Sequence, residues 1–371
     1  MITQPAQLLE LVAWTKSAEA IALDTEFFWE RTYYPRLGLI QLAISGDECH
    51  LIDPLALEDL RPLGELLANR GVVKIFHDAG QDLAILCRAT GTAAQNIFDT
   101  RLAAGFADLP STLSLASLAR ELLAIDLVKN ETRSDWLRRP LSAEQLAYAS
   151  DDVRYLHALR LSLLNRIAEP KVKAWLYEEL ALYNNPHLYI SDGSSRYQRL
   201  RSAARLPPAG LAILKRLFDW REETARASDK PRGHIIPDAA LLAIAHQPPT
   251  DIPALRHLGL SSQAISRYGG AIVTLCAELG AETSATPEVV EAAEEKPWRL
   301  SAREKAIYQR LQDMIRLKSG ILGIDPGLIG NSDDLRAVAR FLADGALPAA
   351  NSRQFSGWRL TFLEDFFHHN V

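Results

Sequence analysis

Residues 21–28 read Ile-Ala-Leu-Asp-Thr-Glu-Phe-Phe, and this stretch decides the fold. The apolar run at residues 21–23 predicts a buried strand. Side chains two apart on a strand point to the same face, so Asp24 and Glu26 aim at one point while Thr25 faces the other way. Two carboxylates that close repel each other unless a cation lies between them. Such hard oxygen ligands suit Mg²⁺ or Mn²⁺, although this pattern is also typical of a solvated loop at a strand end.

The sequence on both sides of this strand predicts an α/β architecture. A short helix is expected over residues 4–16, and helical patterns dominate from Thr100 to about Tyr183. The remaining elements are four strands at 37–44, 49–53, 72–76 and 96–99, and two helices at 57–69 and 79–90. The first three strands are joined by short turns, which is typical of an antiparallel meander. The order βββαβαβ followed by helices indicates a mixed five-stranded sheet.

A third carboxylate follows the fourth strand. Residues 76–86 read as a strand end and the first turn of a helix, with Asp82 in that turn and His77 five residues earlier. Asp is favoured at a helix start by capping and by the helix dipole, so an ordinary acidic helix start is the alternative. Asp78 is nearer the turn and is expected to be the cap.

A fourth carboxylate lies on a later helix. Residues 144–157 have helical periodicity, and Tyr148 and Asp152 are four apart, so they share one face. The alternative is an exposed polar pair. Four carboxylates at one point require counter-charge, and two divalent ions would supply it, as in sites that hydrolyse phosphodiesters by in-line displacement. Tyr148 would orient the attacking water, because an ordinary tyrosine with a pKa near 10 keeps its proton at neutral pH.

Composition limits the possible classes of protein. With 371 residues the chain is expected to form two or three domains. The net charge of −5 and the pI of about 6.0 argue against a protein that coats nucleic acid nonspecifically. Three distant cysteines indicate a reducing compartment, and neither a leader nor a membrane span is expected, so the prediction is a cytoplasmic protein. A monomer is also expected.

These residues resemble the three motifs of the DEDD exonuclease superfamily in its tyrosine branch (DEDDy), and more closely the ribonuclease D family. The motifs are Asp24-Thr25-Glu26-Phe27 with Thr32-Tyr33-Tyr34-Pro35-x-Leu37-x-Leu39-Ile40-Gln41, then His77-x4-Asp82-Leu83, then Tyr148-Ala149-x-x-Asp152-Val153-x-Tyr155-Leu156. The preceding segment Ser134-Asp135-Trp136-Leu137-x-Arg139-Pro140-Leu141 is also similar, and we expect it to order the approach to the third motif. The resemblance implies an RNase H-like exonuclease fold and 3′→5′ hydrolysis of RNA to nucleoside 5′-monophosphates. It also implies 3′-end trimming of tRNA precursors and other structured small RNAs.

A second resemblance covers the middle of the chain. Trp220-Arg221-Glu222-Glu223-x-Ala225-Arg226-x-x-Asp229-x-Pro231-Arg232 is similar to the HRDC domain, a small helical nucleic-acid-binding module. The last segment occupies the place of a second HRDC domain but departs from its pattern. The expected organisation is an exonuclease domain at 1–190, a linker at 191–207, an HRDC domain at 208–280, an acidic linker at 281–297 and a divergent HRDC-like domain at 298–371. Deleting 208–371 is expected to weaken substrate binding and to leave some cleavage.

Aromatic and basic residues are candidates for contact with RNA, since single strands are held by stacking and by backbone charge. The candidates are Phe27, Phe28, Trp29, Tyr33, Tyr34, His77, Arg221 and the run Arg196, Arg199, Arg201 and Arg205. The alternatives are core packing for the aromatic residues, a structural role for His77 and solvated surfaces for the arginines.

Three functions remain open from the sequence. The first is a metal-dependent exoribonuclease acting on RNA with a free 3′ end. The second is a 3′→5′ exonuclease acting on DNA, since the same carboxylates serve either sugar and the choice depends on contact with the 2′-OH. The third is a non-catalytic RNA-binding adaptor, which is disfavoured because all four acids and Tyr148 are present.

Overall fold

The computed structural model describes residues 1–127, 131, 134–190, 200, 206–285, 300–345 and 352–368. The chain forms two compact units. Unit 1 comprises Met1–Phe28, Leu37–Ile190 and Trp298–Val371, and unit 2 comprises Trp29–Arg36 and Ser191–Pro297. The sequence predicted three consecutive domains, and the two units differ from that prediction in two places. The last segment belongs with the exonuclease segment, and a loop that follows the first motif belongs with the HRDC segment.

Unit 1 is built on a mixed five-stranded sheet with the order β3-β2-β1-β4-β5. The strands are β1 Ala20–Phe28, β2 Arg36–Ser45, β3 Glu48–Ile52, β4 Val73–Phe76 and β5 Ile97–Asp99. β1 pairs in parallel with β4, and β4 pairs in parallel with β5, whereas β2 and β3 are antiparallel. The carboxyl ends of β1, β4 and β5 therefore lie at one edge of the sheet. Ligands of open α/β sheets bind at such an edge.

Both faces of the sheet are buried, and the alternation along β1 assigns its side chains to them. Ile21 and Leu23 belong to one hydrophobic cluster, and Ala20 and Ala22 belong to the other. The helices up to residue 181 are α1 Pro5–Thr15, α2 Arg61–Ala68, α3 Gly80–Thr90, α4 Thr100–Gly105, α5 Leu115–Leu123, α6 Ala143–Arg154, α7 Leu156–Arg166 and α8 Pro170–Ala181. β1 contacts α3 and α6.

Unit 2 is helical and has its own hydrophobic cluster. Its helices are α9 Pro208–Ala227, α10 Arg232–Ile235, α11 Asp238–His246 and α12 Ser262–Ala285, with a 3₁₀ turn at Pro253–Leu258. The cluster includes Leu217, Leu241 and Ile272 together with Tyr33 from the loop. Since α12 extends to Ala285, the expected linker at 281–297 begins inside a helix. Residues 286–297 and most of the expected linker at 191–207 lie outside the described residues.

The last three helices complete unit 1. They are α13 Ala302–Leu322, α14 Ser332–Asp344 and α15 Gly357–His368. Leu311, Val338 and Phe362 share one hydrophobic cluster with Leu163 and Trp175 of the exonuclease segment. These helices are therefore packed into the exonuclease segment. Among the described residues, no helix combines the length and the apolar character needed to cross a membrane.

Candidate active site

Three carboxylates from two elements meet at the carboxyl end of β1. One ligand oxygen each of Asp24, Glu26 and Asp152 lies within 4.8 Å of the others. Asp24 and Glu26 come from β1, where the period of two puts them on one face. Asp152 comes from α6, whose start is fixed by a capping box in which the Ser142 hydroxyl accepts the Gln145 N–H at 3.2 Å. The three are close enough to share a cation.

Asp82, the fourth predicted acid, is held by Thr25. The Thr25 hydroxyl donates a hydrogen bond of 2.5 Å to Oδ1 of Asp82, and both side chains are buried. The alternation that separates Thr25 from Asp24 and Glu26 thus turns it towards α3. Asp82 is not in the group of three within 4.8 Å among the described residues. Burial is the main reason why the pKa values of Asp24 and Glu26 are raised, and the charge of Asp82 adds to it. Asp82 therefore lies beside the group with its carboxylate oriented by Thr25, a role that the sequence did not reveal.

Burial and mutual repulsion keep protons on these carboxyls. Burial is the main cause, and it raises the pKa of Glu26 to about 9 and those of Asp82 and Asp152 to about 7. The pKa of Asp24 lies well above its ordinary value because of burial and then the charges of Asp82, Asp152 and Glu26. All four can ionise together near neutral pH only if positive charge is added. A set of hard carboxylate oxygens with this requirement fits divalent cations such as Mg²⁺ or Mn²⁺.

Tyr148 lies against Asp152 as its spacing on α6 predicts. The two side chains are close enough for the Asp152 charge to act on the phenol. Burial, followed by the charges of Asp152 and Glu26, raises the pKa of Tyr148 far above its usual value. The phenol therefore stays protonated at neutral pH and acts as a hydrogen-bond donor.

The segment before α6 fixes the ring of Tyr148. Trp136 is buried, and its ring centroid lies 6.1 Å from that of Tyr148. Arg139 holds this segment by a bidentate pair with Asp53, with both N–O distances at 2.7 Å, and by donation to the carbonyl of Gly38 at 2.6 Å. A Cβ at Gly38 would lie 2.7 Å from the Trp136 carbonyl oxygen, so this approach requires glycine. The segment thus orders the third motif, as expected.

Asp99 organises the turn that leads to Asp82. Its carboxylate accepts the backbone N–H groups of Asp78 and Ala79, both at 3.0 Å, and the Tyr183 hydroxyl at 2.8 Å. It also caps α4. An Asp before a helix start was a visible capping signal, but its second role depends on residues distant in the sequence. Asp78 does not cap α3 as expected, because it has a left-handed φ of 67° and pairs with Arg101.

Two expected substrate contacts are occupied by structural partners. Both ring nitrogens of His77 have neighbours, with Nδ1 2.9 Å from the Thr100 hydroxyl and Nε2 3.1 Å from the Leu113 carbonyl oxygen. Arg221 is 2% exposed and donates to the Ile236 carbonyl at 2.9 Å and to Asp238 at 2.6 Å. We therefore remove His77 and Arg221 from the expected RNA contacts.

The remaining expected contacts divide between the two units. Phe27 and Phe28 are half-buried at the end of β1 in unit 1. Trp29 is 48% exposed and Tyr34 is half-buried, and both belong to unit 2. The expected basic run Arg196, Arg199, Arg201 and Arg205 lies outside the described residues.

Comparison with known proteins identifies the family. A family model described as 3′-5′ exonuclease matches residues 1–168, and the HRDC domain model matches residues 210–276. Ribonuclease D of Desulfotalea psychrophila is 46% identical over 369 residues, which cover 99% of this chain and 97% of the relative. This chain belongs to the ribonuclease D family. Ribonuclease D of Xanthomonas oryzae pv. oryzae is 36% identical over 369 residues, covering 98% of this chain and 96% of the relative.

Solved structures agree with membership of the ribonuclease D family. The crystal structure of Escherichia coli RNase D has a TM-score of 0.84 and 28% identity, covering 100% of this chain and 97% of that chain. The catalytic core of RRP6 from Trypanosoma brucei shares the fold, with a TM-score of 0.57 and 22% identity over 76% of this chain and 79% of that chain. The predicted exonuclease fold with a mixed five-stranded sheet, followed by an HRDC domain and further helices, is confirmed.

Proposed function

We propose that this chain, a 3′→5′ exoribonuclease of the ribonuclease D family, cuts RNA at an active site made of Asp24, Glu26, Asp82, Asp152 and Tyr148. The proposed product is a nucleoside 5′-monophosphate. The observation that carries the assignment is the approach of Asp24, Glu26 and Asp152 to within 4.8 Å of one another. Asp82 is the fourth proposed metal ligand, oriented by its bond from Thr25.

The proposed cofactor is a pair of divalent ions, Mg²⁺ or Mn²⁺, held by the four carboxylates. Exonucleases of this fold use divalent metals, which activate water and stabilise the leaving oxygen in phosphodiester hydrolysis. The residues of the chain supply the geometry. Tyr148 keeps its proton beside Asp152, so it is suited to orient a water molecule by hydrogen bonding rather than to remove a proton from it.

We propose that the substrate is RNA with a free 3′ end, chiefly tRNA precursors and other structured small RNAs. Support comes from the E. coli RNase D structure, which is described as that of an exoribonuclease involved in structured RNA processing. We further propose that Phe27 and Phe28 contact the terminal nucleotides, since both follow Glu26 directly and aromatic rings stack on any base. We further propose that the protein works in the reducing cytoplasm, in keeping with its three free cysteines, and that it acts as a monomer.

Substitution of Asp24 tests the active site. Asp24→Ala should abolish release of mononucleotides from uniformly labelled RNA with Mg²⁺ or Mn²⁺, because it removes a proposed metal ligand. Asp47→Ala is the matched control, since Asp47 is an exposed aspartate in the turn between β2 and β3. Release at the wild-type rate by Asp24→Ala would show that the site assignment is wrong. The rate of cleavage of DNA with the same sequence tests whether the enzyme prefers ribose. Equal rates for RNA and DNA would contradict a preference for RNA.

A further inference from the structure

Four charged residues of the HRDC motif contact a loop of the exonuclease sequence. We call residues Trp29–Arg36, which join β1 to β2 and belong to unit 2, the motif loop. The Tyr33 hydroxyl donates to Glu222 at 2.7 Å, and Arg232, which is itself paired with Glu222, stands 4.8 Å from the centroid of the Tyr33 ring. Arg226 lies 5.6 Å from the same centroid. Tyr33 is only 6% exposed, so its buried side chain holds the motif loop in place.

The backbone of the motif loop is held as well. One carboxylate oxygen of Asp229 accepts the N–H groups of Tyr33 at 3.0 Å and Tyr34 at 3.4 Å. Asp229 has a φ of 43°, a left-handed conformation that Asp tolerates better than most residues. Four charged residues of the HRDC resemblance, Glu222, Arg226, Asp229 and Arg232, are thus engaged with the chain's own loop.

The anchored loop places an exposed indole beside a cavity. The Trp29 Nε1–H donates to the Tyr33 carbonyl at 3.1 Å, which fixes the ring, yet Trp29 remains 48% exposed. The cavity has a volume of about 200 Å³ and is lined by Trp29, Glu30, Thr32, Tyr33, Pro231 and Arg232. That volume is below the range of sites for drug-sized ligands and suits a smaller planar group.

We propose that the HRDC motif holds the motif loop and thereby presents Trp29 as a stacking surface for one unpaired base of the RNA substrate. An aromatic face stacks on any base, so such a site tolerates all sequences, as an exonuclease requires. Glu30 lines the cavity and Arg232 is already paired with Glu222, so a base is a better ligand there than a phosphate. Trp29 follows Glu26 by three residues, which limits their Cα separation to about 11 Å, so the base belongs to a nucleotide near the 3′ end.

This proposal rests on the proposed function, and its first test separates the two. Trp29→Ala should raise the KM for a single-stranded RNA oligonucleotide about 10-fold, the loss expected for one stacked base, while kcat stays within about twofold. Trp29→Phe should restore most of the KM. Trp14→Ala is the matched control, because Trp14 is 51% exposed on α1 in unit 1. An unchanged KM in Trp29→Ala overturns the stacking site, whereas absence of mononucleotide release by the wild type overturns the proposed function.

A fluorescent base measures the stacking directly. We would place 2-aminopurine, whose emission falls when it stacks, at successive positions from the 3′ end and bind the RNA in EDTA to prevent cleavage. Quenching at one position should disappear in Trp29→Ala and persist in Trp14→Ala. Equal quenching at every position in wild type and Trp29→Ala would overturn the proposal.

The role of the HRDC motif is tested by coupling. Asp229→Ala removes the acceptor of two loop N–H groups without touching Trp29, and Tyr33→Phe removes the bond to Glu222 with little change of shape. If the anchored loop presents Trp29, each of these changes should also raise KM, and the 10-fold effect of Trp29→Ala should shrink to about twofold in the Asp229→Ala background. An undiminished effect of Trp29→Ala in both backgrounds would show that anchoring does not present the indole.

Discussion

The two helical segments that follow residue 190 have similar lengths and opposite structural relations to the rest of the chain. The HRDC segment matched at 210–276 forms unit 2 with the motif loop and has its own hydrophobic cluster. The segment described at 300–345 and 352–368 has no separate core, because its buried residues belong to the cluster of the exonuclease segment. Position along the chain therefore does not reveal which segment is an added module and which one completes the exonuclease.

Each segment is held by a buried glutamate. The hydrogen-bond partners of the two glutamates show why one segment packs on the exonuclease segment and the other on the motif loop. Glu179 on α8 accepts from Arg359 at 2.6 Å and from the Trp358 indole at 2.8 Å, and both partners lie on α15. Glu222 on α9 accepts from Tyr33 of the motif loop. Leaving a buried carboxylate without its partners is strongly destabilising. Each glutamate therefore holds together parts of the chain that are far apart in sequence.

The largest test of this comparison is truncation. A chain that ends at residue 297 should lose cooperative unfolding and aggregate, because it exposes the apolar residues that α13–α15 cover. This differs from the sequence-based expectation that removing 208–371 leaves some cleavage. Thermal unfolding followed by circular dichroism, with gel filtration, measures the outcome.

The opposite excision is the control for the truncation. Replacing residues 208–285 by a flexible linker should leave unit 1 with a cooperative transition, since its hydrophobic clusters stay complete. A chain ending at 297 that melts within a few degrees of the full chain would refute the distinction between the two segments.

A single side chain in the shared core gives a smaller effect. Trp358 is 2% exposed and stacks on Trp175 with a centroid distance of 5.5 Å. Trp358→Ala should lower the free energy of unfolding by about 3–5 kcal/mol, the usual cost of removing a buried Trp. Leu360→Ala on the same helix is the control, because Leu360 is 40% exposed. Urea unfolding measures both, and equal midpoints would argue against a shared core.

The elements and the acids could be predicted because they have local signals. The apolar run at residues 21–23 predicted β1, and the spacing of Tyr148 and Asp152 put both on one face of α6. The bond from Thr25 to Asp82 and the two roles of Asp99 could not be predicted, because polar contacts between distant residues leave no period in the sequence. The hydrogen bond from Tyr33 to Glu222 joins residues that are 189 apart in the sequence, so it could not be predicted for the same reason. Motif similarity indicated an HRDC domain but not that four of its charged residues bind a loop of the same chain.

Glu222 tests the independence of unit 2. Glu222→Gln weakens the contacts to Tyr33 and Arg232, so unit 2 should lose about 1–3 kcal/mol of stability, in keeping with the loss of a buried charge-assisted hydrogen bond. Hydrogen exchange should become faster in peptides from 208–279 and stay unchanged in peptides from the sheet of unit 1. Glu223→Gln, at an exposed position, is the control. Faster exchange spread equally over both units would contradict two separate units.

The smallest effect concerns the acids of unit 1 in metal-free protein. The pKa of Asp152 is raised to about 7 in the folded protein, against about 3.9 for an ordinary Asp, so the folded state binds more protons between these values. Stability therefore falls as the pH rises from about 4 to about 7. Asp152→Asn cannot ionise, so in EDTA at pH 8 it should melt about 2–4 °C above the wild type, equivalent to about 1 kcal/mol, and show no gain at pH 4.

An exposed aspartate away from the cluster separates this effect from a general loss of negative charge. Asp47 is exposed in the turn between β2 and β3, so Asp47→Asn should not raise the melting temperature at pH 8. Mg²⁺ or Mn²⁺ should stabilise the wild type more than Asp152→Asn, because added positive charge relieves a repulsion that the variant already lacks. The gain in stability of Asp152→Asn should appear in the unfolding transition of unit 1, and the hydrogen exchange rates of unit 2 should not change. An equal gain from both variants would mean that surface charge, rather than the clustered acids, sets the pH dependence.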